Sequence, residues 1–173
     1  MITISDINGF SKKGIRENNE DYIIYSTDFI LPTQTRVIVL CDGMGGHGHG
    51  EVASKIVAES VFETLAHSSK EFSADDLQYA LDNALITLNN VDTYNDSKKM
   101  GTTLVVAVIN NNNVLVGHVG DSRCYLFDEN CIKKFRTKDH SKVAEAVEAE
   151  ILTEEEAFTS QYKNILTRSV MAG

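Results

Sequence analysis

Apolar residues recur with two different periods along this chain. The segments Asp21–Tyr25 and Arg36–Cys41 are short and rich in β-branched or aromatic residues, and the second is an almost unbroken apolar run. Both features predict strands, the second of them buried. Between residues 52 and 88, apolar residues instead recur every three or four positions, which predicts two amphipathic helices. The second helix should begin at Ser73, a favourable N-cap residue that is followed by acidic residues.

From Gly101 onward the pattern again favours strands, joined by turns rich in Asn, Asp and Gly. Four strands are predicted: Thr102–Ile109, Val114–Val119, Arg123–Phe127 and Cys131–Phe135. Turns this short require antiparallel pairing. Two strands, two helices and four strands favour an α+β fold over alternating α/β, and the length suits one domain over residues 1–173.

The formal net charge of −9 excludes some partners. An acidic surface repels nucleic acid and anionic membranes, so we expect neither. No apolar run approaches the roughly 18 residues of a membrane helix. The three cysteines, Cys41, Cys124 and Cys131, have no metal-site spacing, and we expect the first two to be buried in a cytoplasmic protein.

The Asp42-Gly43 pair at the end of the Arg36–Cys41 run is a candidate metal site. A strand fixes the position of the carboxylate, and the glycine lets backbone carbonyls approach a ligand. Such oxygen donors suit a hard cation such as Mg²⁺ or Mn²⁺. The same dipeptide is also typical of an ordinary turn.

A competing interpretation rests on residues 43–48, which satisfy the dinucleotide-binding pattern G-x-G-x-x-G between a strand and a helix. Two features oppose it. Asp42 would place a negative charge beside the pyrophosphate, and the next predicted element is a second helix instead of the strand that a βαβ unit requires.

Two more segments carry candidate chemistry. In the first, Arg16 offers a planar fork for phosphate oxygens and precedes the paired carboxylates Glu20 and Asp21. In the second, Asp121 follows a glycine at a strand end. Taken separately, these segments are equally compatible with a solvated loop and a tight turn.

Together the segments form an ordered series of six motifs. These are Arg16–Asp21 (R-x-x-N-E-D), Asp42–Glu51 (D-G-M-G-G-H-x-x-G-E), Gly101–Thr103 (G-T-T), Gly120–Leu126 (G-D-S-R-x-Y-L), Thr137–Ser141 (T-x-D-H-S) and Asn164–Ser169 (N-x-L-T-R-S). In this order they resemble the type 2C metal-dependent protein serine/threonine phosphatases, in the bacterial form. The resemblance implies two stacked antiparallel sheets flanked by helices, a four-layer α-β-β-α sandwich.

The resemblance also implies a metal site. Asp42 would bridge two core ions, Mn²⁺ or Mg²⁺, and the carbonyl of Gly43 would reach one of them. Glu20 and Asp21 would hold metal-bound waters, and Asp121 would help to hold a third, weaker ion.

The implied activity is hydrolysis of phosphoserine and phosphothreonine in proteins. On this resemblance a hydroxide activated by the cations would attack phosphorus, Asp42 and Arg16 would be the catalytic residues, and Arg16 would bind the substrate phosphate. No phosphoenzyme would be needed, so Cys41 is not expected to be a nucleophile. Expected partners are phosphorylated proteins and a cognate serine/threonine kinase, the complete protein being a monomer. Residues 143–159 fall where the family carries a flap beside the site.

Two departures from the family pattern qualify this interpretation. Met44 occupies the position of a histidine that some members have, and His47 and His49 are expected to be solvated, not ligands. An S-D-G-L segment and a late D-N pair, whose aspartates supply further ligands, do not occur before Gly173. We therefore expect a longer phosphatase of which this is the N-terminal two-thirds. The alternative is a catalytically impaired domain that binds phosphoprotein or a regulator.

Overall fold

The computed structural model describes residues 2, 4–26, 35–44, 49–66, 72–92, 99–110 and 113–173. Its strands are β1 (Asp21–Tyr25), β2 (Arg36–Asp42), β3 (Gly101–Thr102), β4 (Leu104–Ile109), β5 (Val114–Val119), β6 (Tyr125–Phe127), β7 (Lys133–Arg136) and β8 (Val170–Met171). Its helices are α1 (Gly50–Ala66), α2 (Ala74–Val91), α3 (Lys142–Glu148) and α4 (Glu154–Thr159). None of the helices described is long and apolar enough to cross a membrane.

The central sheet is four-stranded and antiparallel, in the order β1-β2-β4-β5. Along β2, Val37, Val39 and Cys41 are buried and alternate with partly exposed residues, as the period of a strand requires. Because β2 pairs antiparallel with both of its neighbours, it is not part of a βαβ unit, and the dinucleotide-binding interpretation is wrong on topology. Residues 45–48 of that motif lie outside the described part.

Helices α1 and α2 pack against each other, and α1 also packs against β1 and β2. The predicted helical period is confirmed on α1, where Ala53, Val57, Val61 and Leu65 are buried. Burying a valine or leucine side chain contributes about 1.5–3 kcal/mol, so these buried residues hold the helix against the sheet.

Ser73 is the N-cap of α2, as predicted. Its Oγ accepts the Asp76 N–H at 3.4 Å, and its own N–H donates to the Asp76 carboxylate at 2.9 Å. This capping box satisfies two backbone donors and fixes where the helix begins.

The remaining strands form two short antiparallel pairs, β3 with β8 and β6 with β7. The α+β class with antiparallel sheets flanked by helices is thereby confirmed. Helices α3 and α4 lie on the surface and bury none of their residues. The Lys142 N–H at the start of α3 donates to the Ile165 carbonyl at 2.9 Å, and the Thr167 N–H donates to the His140 carbonyl at 2.9 Å. These bonds join the C-terminal segment to the loop before α3.

The predicted strand Thr102–Ile109 is divided at Thr103 into β3 and β4. The Thr103 N–H donates to the Asp42 carbonyl at 2.9 Å, and Thr102 pairs with Val170 of β8. β4 pairs with β2 and β5, whereas β3 pairs with β8 and forms only a single bridge to Gly43, just beyond β2. The break follows from the pairing with β8.

The predicted hairpin strands Arg123–Phe127 and Cys131–Phe135 begin two residues later than expected. The Asp128 carboxylate accepts the N–H groups of Asn130 and Ile132, at 3.0 and 2.9 Å, and Cys131 has φ 60°. This turn extends past residue 130 and delays β7. It also leaves Cys131 exposed, and Cys124, which was expected to be buried, is only half-buried.

Candidate metal and phosphate site

The antiparallel register places Asp21 directly opposite Asp42 at the ends of β1 and β2. Side chains of directly opposed residues lie on the same face, with Cβ atoms about 4.5–5.5 Å apart, and like charges there repel. Two carboxylates that repel each other at the ends of these strands would be stabilised by a bound cation.

Gly43 follows at a place where two backbones meet. Its N–H donates to the Glu20 carbonyl at 2.9 Å, and a Cβ added to it would lie 2.1 Å from the carbonyl oxygen of Gly50. Only glycine allows this approach of β2 to the first residue of α1. A Cβ added at Gly50 would in turn lie 3.0 Å from a carboxylate oxygen of Glu20, so that side chain lies against the start of the helix.

Asp121 lies on the turn after β5. The pairing of Leu104 with Val119 brings the end of β5 alongside Thr103, which is bonded to Asp42. Gly120 has φ 102°, a conformation that favours glycine and that turns the chain at this point.

The five side chains that were predicted to bind metal or phosphate line one cavity of about 820 Å³: Arg16, Glu20, Asp21, Asp42 and Asp121. Gly43 and Met44 also line it. The rest of the wall comes from the N-terminal loop, from Thr103 and from the C-terminal segment, with the residues Lys12, Lys13, Asn18, Asn19, Asn164, Ile165, Leu166, Ser169 and Met171. A volume of this size accommodates a phosphorylated side chain and ions.

Burial and the surrounding carboxylates raise the pKa of Asp42 from 3.8 to about 6. Loss of solvation is the largest cause, followed by the negative charges of Asp21, Asp121 and Glu20, and the Arg16 guanidinium opposes them. The Asp42 side chain is nevertheless exposed to the cavity. It is therefore an accessible carboxylate in a negative field, which a bound cation would relieve.

A sequence profile of the family described as protein phosphatase 2C matches residues 5–170. The chain belongs to the protein phosphatase 2C family.

The relatives that match this chain include bacterial serine/threonine phosphatases. Serine/threonine phosphatase stp of Listeria welshimeri is 30% identical over 161 residues, which cover 90% of this chain and 62% of that protein. The crystal structure of serine/threonine phosphatase Stp1 from Staphylococcus aureus matches with a TM-score of 0.79 at 33% identity, covering 92% of this chain and 63% of that one. These matches confirm the α-β-β-α sandwich.

A third relative has a structure with metal. The catalytic domain of serine/threonine protein phosphatase PstP, in complex with two manganese ions, matches with a TM-score of 0.72 at 28% identity, covering 90% of this chain and 62% of that one. The present chain thus spans about 62% of the length of the curated relatives it matches first.

The phosphatase 2C cavity supplies donors that fit a hydrated divalent cation. Its acidic residues offer hard oxygen atoms, and lost solvation, followed by the repulsion between these carboxylates, raises the pKa of Asp42. Among the described residues, no group of three or more His, Cys, Asp or Glu side chains is close enough to enclose an ion. Carboxylate and carbonyl oxygens also suit ions that retain several waters, as Mg²⁺ does.

Some cavity residues of this phosphatase 2C chain were not singled out from the sequence. Lys12 and Lys13 gave no signal beyond being a basic pair in a loop. Thr103 and Asn164 belonged to motifs but had no assigned role. Of the two histidines that were not expected to be ligands, His49 does not line the cavity, and His47 lies outside the described residues.

Cys41 is fully buried beside Asp42, and burial raises the pKa of its thiol to about 12. A thiol in this state is protonated at neutral pH and is a poor nucleophile. Its environment supports the expectation that it has no chemical role.

Proposed function

We propose that this chain carries the metal-dependent hydrolysis of phosphoserine and phosphothreonine in proteins. The observation that carries the proposal is the cavity in which Arg16 and the carboxylates of Glu20, Asp21, Asp42 and Asp121 converge. The relatives named serine/threonine phosphatases support the reaction class, and the PstP structure with two manganese ions supports the metal.

The carboxylates and the arginine of this cavity would have separate roles. Asp42 would hold two divalent cations, Mn²⁺ or Mg²⁺, with the Gly43 carbonyl beside it. Glu20 and Asp21 would orient the waters of those ions, and Asp121 would hold a third ion. Bound cations would supply a water of lowered pKa and positive charge against the phosphate.

Arg16 would bind the phosphate itself. Its guanidinium presents two parallel N–H donors to two phosphate oxygens and neutralises charge that develops during phosphoryl transfer. It lines the same cavity as Asp42 and lowers the pKa of that carboxyl, so the two charges interact. The surrounding protein has a net charge of −9, so this local positive charge matters for capturing an anionic substrate.

Residues 143–159, which include α4 and most of α3, would act as a flap beside the site within a single catalytic domain. Their surface location and the bond from Lys142 to Ile165, a cavity residue, support this role. We also infer phosphoproteins and a cognate kinase as partners, with the complete protein a monomer. The unpaired Cys41, Cys124 and Cys131 support a reducing cytoplasmic location.

The second candidate function is that of a domain that binds phosphoprotein or a regulator without hydrolysis. Arg16 would bind the phosphate in that case as well, so the cavity suits either function. The two functions differ in turnover.

The deciding experiment measures phosphate release from a phosphothreonine peptide by the 173-residue chain, with Mn²⁺ or with excess EDTA. We expect release that requires Mn²⁺ and is abolished in Asp42→Asn. Peptide binding without release would establish the second function, and release that continues in EDTA would contradict both the metal and the mechanism.

A further inference from the structure

Thr103 is bonded to both backbone groups of Asp42. The Asp42 N–H donates to Thr103 Oγ1 at 3.1 Å, and the Thr103 N–H donates to the Asp42 carbonyl at 2.9 Å. Thr103 is only 2% exposed, so neither bond competes freely with water. Thr102 Oγ1 also donates to the Asp42 carbonyl, at 2.9 Å, so two buried neighbours hold that carbonyl, and of the two only Thr103 also holds the Asp42 amide.

The same side chain contacts the turn that carries Asp121. Thr103 Oγ1 lies 2.7 Å from Ser122 Oγ, close enough for a hydrogen bond. Because Oγ1 accepts the Asp42 N–H, its own hydrogen is available to donate to Ser122. The Thr103 methyl packs against Gly120, where an added Cβ would lie 2.6 Å from it.

His140 holds this turn through the backbone of Gly120. The Gly120 N–H donates to His140 Nδ1 at 3.2 Å, and the His140 N–H donates to the Gly120 carbonyl at 2.9 Å. His140 thus fixes Gly120 through both of its backbone groups. The Thr103 hydroxyl, bonded to the Asp42 amide and to Ser122, connects the Asp42 backbone to this same turn.

We propose that Thr103 is a positioning residue that sets the separation of Asp42 and Asp121 before any cation binds. This inference rests on the proposed function, in which both carboxylates hold cations. Groups around metal ligands commonly change metal affinity 10–100-fold when they are removed. A ligand set fixed in advance avoids the entropy of ordering two strand ends during binding.

Two substitutions separate the hydroxyl from the methyl. Thr103→Val keeps the shape and the contact with Gly120 but leaves the buried Asp42 N–H without its acceptor. Thr103→Ser keeps the acceptor and loses the methyl.

Thr137→Val is the matched control. Thr137 is 3% exposed, and its Oγ1 accepts the Cys124 N–H at 3.0 Å, but it does not line the cavity.

The first measurement is Mn²⁺ affinity by isothermal titration calorimetry on the full 173-residue chain. We expect Thr103→Val to weaken binding about tenfold or more, with Thr103→Ser within about threefold of wild type. Thr137→Val should retain wild-type affinity. Equal affinities for the two valine variants would overturn the proposal. A serine variant as weak as Thr103→Val would also overturn it, because the methyl would then be the important group.

The second measurement needs no metal and separates this inference from the proposed function. Amide hydrogen exchange in EDTA should be faster at Asp42 in Thr103→Val than in Thr137→Val, since only the former loses the acceptor of that amide. Unchanged exchange at Asp42 would overturn the positioning role even if the wild type binds no Mn²⁺. Faster exchange together with a wild type that binds no Mn²⁺ would keep the Thr103 bridge and reject the metal site.

Discussion

Asp42→Asn should stabilise the protein in the absence of divalent cations and destabilise it, relative to wild type, in their presence. Wild-type Asp42 has its pKa raised from 3.8 to about 6 by lost solvation and by neighbouring carboxylates. Well below pH 3.8 it is protonated in the folded and unfolded states alike, and no penalty exists. Between pH 3.8 and about 6 the unfolded state ionises more readily than the folded state, so stability falls over this interval, and above it the full penalty is present.

The magnitude follows from the same shift. A pKa change from 3.8 to about 6 corresponds to about 3 kcal/mol at 1.36 kcal/mol per pH unit. Asp42 is exposed to the cavity, and solvent screening reduces this figure to about 1 kcal/mol. For a chain of this length, 1 kcal/mol shifts the midpoint of thermal unfolding by about 2–4 °C.

The assay is thermal unfolding of wild type and Asp42→Asn in EDTA at pH 4 and pH 8, then at pH 8 with Mn²⁺. Asparagine behaves as a permanently neutral aspartate, so the variant should lie within about 1 °C of wild type at pH 4 and exceed it by about 2–4 °C at pH 8. Mn²⁺ should reverse the order, since a ligand at 100 times its Kd stabilises the folded state by about 2.7 kcal/mol.

Asp82→Asn is the matched control, because Asp82 is exposed on α2 and does not line the cavity. It should follow wild type under all three conditions. No gain in stability for Asp42→Asn at pH 8 in EDTA, or an equal gain at pH 4, would show that ionised Asp42 does not destabilise the metal-free protein.

Three further predictions concern single positions. Gly43→Ala should lower stability by about 3 kcal/mol or more, because its Cβ would lie 2.1 Å from a backbone oxygen. Gly14→Ala, with φ +59° and no neighbour within 4 Å, should cost only about 1–2 kcal/mol in the same urea titration, and equal costs would contradict the packing argument. Arg16→Lys should weaken inorganic phosphate binding about tenfold by calorimetry, because an ammonium cannot form two parallel bonds; unchanged affinity would remove Arg16 from the phosphate site. In the native protein at pH 8, Cys131 should react with a disulfide reagent while the buried Cys41 stays unmodified, and early labelling of Cys41 would contradict its burial.

The sequence predicted best those elements whose limits are set locally. The strands Asp21–Tyr25 and Val114–Val119 have the predicted bounds, and Ser73 begins its helix as expected. In each case a nearby turn or cap residue, visible in the sequence, ends or begins the element. The division at Thr103 was not predictable in this way, because it depends on pairing with β8 near residue 170.

The same distinction applies to the site. Motifs identified Asp42 and Asp121 as candidates, but the register that opposes Asp21 to Asp42 is a long-range property of the sheet. Thr103 likewise joins Asp42, 61 positions before it in the sequence, to Ser122, 19 positions after it. Lys12 lines the cavity because of the path of its loop, and the residue type of Lys12 does not predict that path.

The proposed phosphatase activity depends on divalent cations held by Asp42. Paramagnetic broadening of amide NMR signals by substoichiometric Mn²⁺ tests this binding directly, on the full 173-residue chain. We expect broadening centred on Asp42, Asp21 and Asp121, and its loss in Asp42→Asn. Broadening centred elsewhere, or unchanged in the asparagine variant, would contradict binding by Asp42.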